Sequence, residues 1–69
     1  MIEFDLAEHD FIELHNLLKA TGLCQSGGTA KLLIADGLVR VDGLVELRKR
    51  CKIRNGQVVV LNDQQIVVN

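Results

Sequence analysis

The 69 residues carry eight Lys or Arg against nine Asp or Glu, a formal net charge of −1, with 48% hydrophobic content. A chain this short buries only about 60% of its extended surface, which leaves one marginal core and little room for a substrate pocket. The hydrophobic content excludes a disordered chain, the longest apolar runs fall short of the ~18 residues a membrane span needs, and the two cysteines make no disulfide framework.

The N-terminus, "MIEFDLAEHD", is acidic and lacks the basic start of a secretory signal. A reduced, cytoplasmic protein without appended domains is therefore expected. "IEFDL" (2–6) alternates apolar and polar residues and predicts a short strand. "EHDFIELHNLLKATG" places Phe11, Leu14 and Leu18 on one face with Leu17 beside them. This predicts an amphipathic helix with Glu8, Asp10 and Glu13 as its acidic N-terminal set and Gly22 as its stop. Both phenylalanines, Phe4 and Phe11, fall at apolar-periodic positions and are expected in the core.

"SGGTAKLLIADG" predicts a second helix. Ser26 is its N-cap, Ala30, Leu33, Ile34 and Gly37 line one face, and Gly37 supplies a left-handed end. Two glycines in a first helical turn cost about 1 kcal/mol each relative to alanine. Gly27 and Gly28 could leave bare N–H groups for a phosphate, with Lys31 one turn further in. A tight interhelical turn needing left-handed angles is the other explanation. The spacing of a nucleotide-binding P-loop is absent.

"LVRVDGLVEL" predicts a hairpin turning at Asp42-Gly43, and "QVVVLND" with "QQIVVN" predicts a closing one. Between them lies "RKRCKIRNG", ending in an Asn-Gly turn. Five of the seven residues from 48 to 54 are cations, although the chain as a whole is nearly neutral. Residues 1–30 hold five acids against Lys19 alone, and residues 31–54 hold seven Lys or Arg against three acids. Arg48, Arg50, Lys52 and Arg54 recur at every second position. In an extended chain they form one ridge at about 6.6 Å spacing, with Cys51 and Ile53 facing the core. Such a ridge suits successive phosphates, and arginine forks grip phosphate at two points. The structural alternative is a charged edge that discourages strand-to-strand aggregation.

No catalytic or metal chemistry is read from the sequence. His9, His15, Cys24 and Cys51 lack zinc-ligand spacing, and are expected as surface histidines and partly buried thiols. With no Trp or Tyr and both Phe in the core, no base-stacking platform is expected. Recognition through backbone and shape follows, which favours structured RNA.

The run "S-x-x-x-A-x-x-L-I-x-x-G-x-V-x-V-x-G", carried here by Ser26, Ala30, Leu33, Ile34, Gly37, Val39, Val41 and Gly43, resembles the αL-motif or S-four RNA-binding domain. The resemblance covers roughly residues 11–61. "SGGTAK" and "ELRKRCKIRNG" are similar to the small stand-alone bacterial members of the YbcJ type. It implies an α+β fold, a two-helix αL motif packed on a small, mostly antiparallel sheet, with residues 1–69 as one RNA-binding domain. It also implies binding of structured RNA of the ribosomal or transfer RNA class, including a ribosome-associated role, with no cofactor and no small-molecule substrate. By position, Ser26, Gly27, Gly28 and Lys31 fall on the RNA-facing surface, which Arg48, Lys49, Arg50, Lys52 and Arg54 extend. Three departures stand out. Gly27 replaces a common arginine, Asp42 stands in the usual V-N-G, and Gln57 stands in the usual Gly-Asp. The alternative function is a protein-interaction adaptor whose basic edge docks an acidic partner.

Overall fold

The computed structural model describes residues 1–69. In chain order the elements are β1 (Ile2–Phe4), β2 (Ile12–Glu13), α1 (Leu14–Ala20), α2 (Gly27–Ala35), β3 (Val39–Val41), β4 (Leu44–Val45), β5 (Lys52–Ile53), β6 (Val58–Leu61) and β7 (Gln64–Val68). Five strands form one sheet in the order β1-β7-β6-β3-β4, and β2 pairs with β5 in a separate ribbon. Only the β1–β7 pairing is parallel; the others are antiparallel. The α+β architecture expected from the sequence is the one observed, two helices on a small, mostly antiparallel sheet.

The core follows the periodicities. Leu14, Leu17 and Leu18 of α1 meet Ala30 and Ile34 of α2 over Val39, Val59, Ile66 and Val68, all nine fully buried. Strands β3 and β6 bury alternate residues because successive side chains point to opposite faces. No helix is long and apolar enough to cross a membrane.

The turn chemistry held. Asp42 and Gly43 both have positive φ, 51° and 85°, as the two central residues of a type I′ hairpin turn require. Gly37 closes α2 at φ 78°, and its N–H donates to the Ile34 carbonyl at 3.0 Å. Ser26 caps α2 by accepting the Thr29 N–H at 3.2 Å.

The first helix departs from expectation. It begins at Leu14, not near residue 8, and has no acid in its first turn. Glu13 is the extended N-cap residue, at φ −69° and ψ 143°, and makes no side-chain cap. The reason lies elsewhere in the chain. The Leu14 and His15 N–H groups donate to the carbonyls of Cys51 (2.9 Å) and Lys49 (3.0 Å). The residues just before them are taken by strand pairing, Ile12 opposite Ile53 and Glu13 opposite Lys52. A long-range ribbon outcompetes the helical register, and the sequence periodicity is blind to it. Glu8 and Asp10 therefore lie outside any helix.

Candidate nucleic-acid interface

The basic segment 48–54 is not one extended strand, so the expected ridge of alternating cations is corrected. The Cys51 N–H donates to the Arg48 carbonyl at 3.1 Å, closing a tight turn over Lys49 and Arg50. Only Lys52 and Ile53 are strand. Strict alternation survives from residue 51 onward. Half-buried Cys51 and fully buried Ile53 pack inward, and exposed Lys52 and Arg54 point out.

What holds this turn is the start of α1. The Lys49 carbonyl accepts the His15 backbone N–H at 3.0 Å and lies 2.8 Å from His15 Nδ1. A carbonyl only accepts, so Nδ1 is the donor in this contact. The His15 side chain is 12% exposed, and Nε2 stands 4.0 Å from Glu13 Oε1. His15 was expected at the surface; it is instead a covered clamp that docks the basic turn on the helix. His9 is exposed.

Arg48 is oriented from within the chain. Its Nε and Nη2 donate to Glu46 Oε2 (2.9 Å) and Oε1 (3.2 Å), and its backbone N–H also donates to Oε2 at 3.1 Å. Glu46 is largely covered at 18% exposure, whereas Arg48 is 76% exposed and keeps an open edge. The guanidinium hydrogen bonds hold the Glu46 carboxyl down at about 2, from an ordinary value of 4.5. A carboxylate with a depressed value stabilises the fold fully above its ordinary range and loses that contribution as pH falls through the depressed one. Acidifying from pH about 4.5 to about 2 should therefore lower the melting temperature of the native protein more than that of Glu46→Gln. Equal slopes in a pH series of thermal melts would remove the pair from the stability of this turn.

Lys49 and Arg50 are exposed at the turn and engage no carboxylate of the chain. With Arg48, Cys51 and Lys52 they line a shallow concavity of about 600 Å³. Lys52 Nζ and the Arg54 guanidinium sit 4.9 and 5.5 Å from the centre of the Phe11 ring, contacts worth about 0.5–1 kcal/mol each at an exposed site. Phe11 was expected in the core, yet it is 36% exposed. Its place one residue before β2 brings it beside β5, and it supports the cations from below. Phe4 is half-buried and packs on the core.

At the start of α2, neither glycine has positive φ, so the left-handed-turn explanation for Gly27 and Gly28 is ruled out. A Cβ at Gly27 would meet nothing within 4 Å, and one at Gly28 would meet only Ser26 Oγ at 3.8 Å. Packing does not demand either glycine. Lys31 is half-buried on the same helix. Burial pushes both thiols up: Cys24 is buried and Cys51 half-buried, so neither is poised as a nucleophile.

Two departures from the family pattern meet each other. Gln57 Nε2 donates to Asp42 Oδ2 at 3.1 Å, and the Val58 N–H donates to Oδ1 at 2.9 Å. These bonds, the Val58 one foremost, hold the Asp42 carboxyl below its usual range. Gln57 Oε1 in turn accepts the Arg54 N–H at 2.8 Å. The acid at 42 is thus engaged in tying the β3–β4 turn to the end of the basic segment.

Comparison with known proteins places this geometry. The S4 domain family matches residues 4–69. The "Putative RNA-binding protein YbcJ" of Escherichia coli (strain K12) is 54% identical over 59 residues, covering 86% of this chain and 84% of that one. The "Uncharacterized protein YbcJ" of Shigella flexneri matches to the same extent. The solution structure of E. coli YbcJ, described as revealing an αL motif involved in RNA-binding, superposes with a TM-score of 0.77 at 48% identity. That match covers 99% of this chain and 86% of that one.

Proposed function

The chain belongs to the S4 domain family, and from that premise we propose that residues 1–69 act as one non-catalytic domain that binds structured RNA through its phosphate backbone. The observation that carries this reading is the docked basic turn. Five cations between positions 48 and 54 are held on α1 by the Lys49 carbonyl, and a single internal carboxylate, Glu46, engages one of them. Like charges gathered this closely repel unless an anion neutralises them. The RNA-binding description of E. coli YbcJ supports the same assignment.

In this proposal Lys49, Arg50, Lys52 and Arg54 take phosphates directly. Arg48, turned by Glu46, offers its open edge. Ser26, Gly27 and Gly28 present the α2 N-terminus, where uncrowded N–H groups and the helix dipole favour an anion, and Lys31 adds charge. The RNA is of the ribosomal or transfer RNA class, met in the cytoplasm and on the ribosome, and no cofactor or small-molecule substrate takes part. If about five phosphates are engaged, log affinity falls with log salt at a slope of about −3.5 to −4.5. A filter-binding or anisotropy titration at several salt concentrations measures it, and a flat response overturns the proposal.

A second reading keeps one specific support. Leu44, Val45 and Leu47 are 75%, 51% and 61% exposed along the edge strand β4 and the chain leading into the basic turn. Apolar side chains beside a basic turn suit a protein-interaction adaptor that docks an acidic partner. A defined protein complex that survives nuclease treatment would favour it over RNA.

A further inference from the structure

We infer that an unpaired nucleobase of the bound RNA seats in the cavity beside Phe11, so that the protein prefers a paired stem carrying an extruded base. The inference deepens the RNA-binding proposal and rests on it. The cavity measures about 560 Å³ and is lined by Phe4, Leu6, Phe11 and Ile12, with Asp5, Glu13 and Asn16 among its polar groups. Both aromatic residues of the chain are in this lining. Lys52 and Arg54 stand at the Phe11 ring but do not line the cavity. Phe11 is therefore the residue shared between the cationic site and the cavity.

The charge arrangement fits a nucleotide end to end. A phosphate on Lys52 and Arg54 places its own nucleotide next to the Phe11 ring. Phe11 is 36% exposed and lines the cavity, and aromatic side chains stack bases that have left their helix. Asp5 and Glu13 repel phosphate, so the backbone stays at the cations and the base goes inward. Carboxylates and the Asn16 amide oxygen accept the exocyclic N–H groups that adenine, guanine and cytosine carry. One oxygen of Asp5 already accepts the Ala7 N–H at 2.7 Å, leaving the other for the base. The volume lies within the range of ordinary small-ligand sites.

The test uses three synthetic RNA hairpins, alike except at one stem position: a bulged fluorescent purine, a bulged abasic site, and no bulge. The bulged purine should bind about tenfold tighter than either control, with its fluorescence quenched on binding. Phe11→Ala should remove both the preference and the quenching. Phe11→Leu keeps apolar bulk for folding and should lose the preference too. Equal affinity for the purine and abasic hairpins, or undiminished quenching in Phe11→Leu, overturns the inference. Salt-dependent binding with no preference removes this site alone. Absence of salt-dependent binding to all three hairpins would instead defeat the RNA-binding proposal itself.

Discussion

Reversing Lys49 and Arg50 together, as Lys49→Glu with Arg50→Glu, should weaken RNA binding nearly a thousandfold while the fold is kept. Each reversal removes an attraction of about 1 kcal/mol for a nearby phosphate and adds a repulsion of similar size. The salt slope should become shallower by about 1 for each lost phosphate contact. The fold should persist because both side chains are exposed and engage no carboxylate. What docks the turn is the Lys49 carbonyl, which any residue at position 49 supplies. Arg48 is a poorer choice for this test. A glutamate there would face Glu46 across the distance now closed by 2.9 and 3.2 Å hydrogen bonds, and would disturb the turn itself. Near-native affinity in the double variant, with an unchanged circular dichroism spectrum, would move the phosphate surface away from this turn.

Local signals were legible wherever one side chain fixes one backbone feature. Ser26 caps the Thr29 N–H, Asp42-Gly43 adopts its positive-φ turn, and Gly37 ends α2, all as the sequence requires. Apolar alternation also identified the buried face of β3 and β6. The errors around the first helix share a cause, pairing between segments about forty residues apart. The 12–13 to 52–53 ribbon truncates α1 and draws Phe11 out of the core to the cations. Nothing in the helical periodicity of residues 8–22 encodes that partner. The ridge failed for a local reason. Alternation of charge says which residues share a face only if the backbone is extended, and a tight turn at 48–51 breaks the condition. Clustering in sequence still gathered the cations in space, because a seven-residue segment docked by its carbonyls has little room to disperse them.

That docking depends on Ile53, and Ile53→Ala should be the most damaging single truncation for the interface. Ile53 is fully buried in β5, lies opposite Ile12, and stands two residues after Cys51, whose carbonyl, with that of Lys49, accepts the first N–H groups of α1. Large-to-small changes at such sites cost about 2–5 kcal/mol. A 69-residue chain has about 3.5–10 kcal/mol of stability in total, so a large share is lost and the urea midpoint should fall steeply. Ile53→Val removes one methylene and should cost about 1 kcal/mol. The damage should also be uneven. With β5 loosened, the Leu14 and His15 N–H groups lose their Cys51 and Lys49 partners before the five-stranded sheet opens. Hydrogen exchange at low temperature should then speed up at Leu14 and His15 more than at Val59, which lies in the centre of the sheet. Uniform acceleration at all three amides would mean that the basic turn opens only with the whole protein, and that Ile53 is a general core residue rather than the fastener of the basic segment.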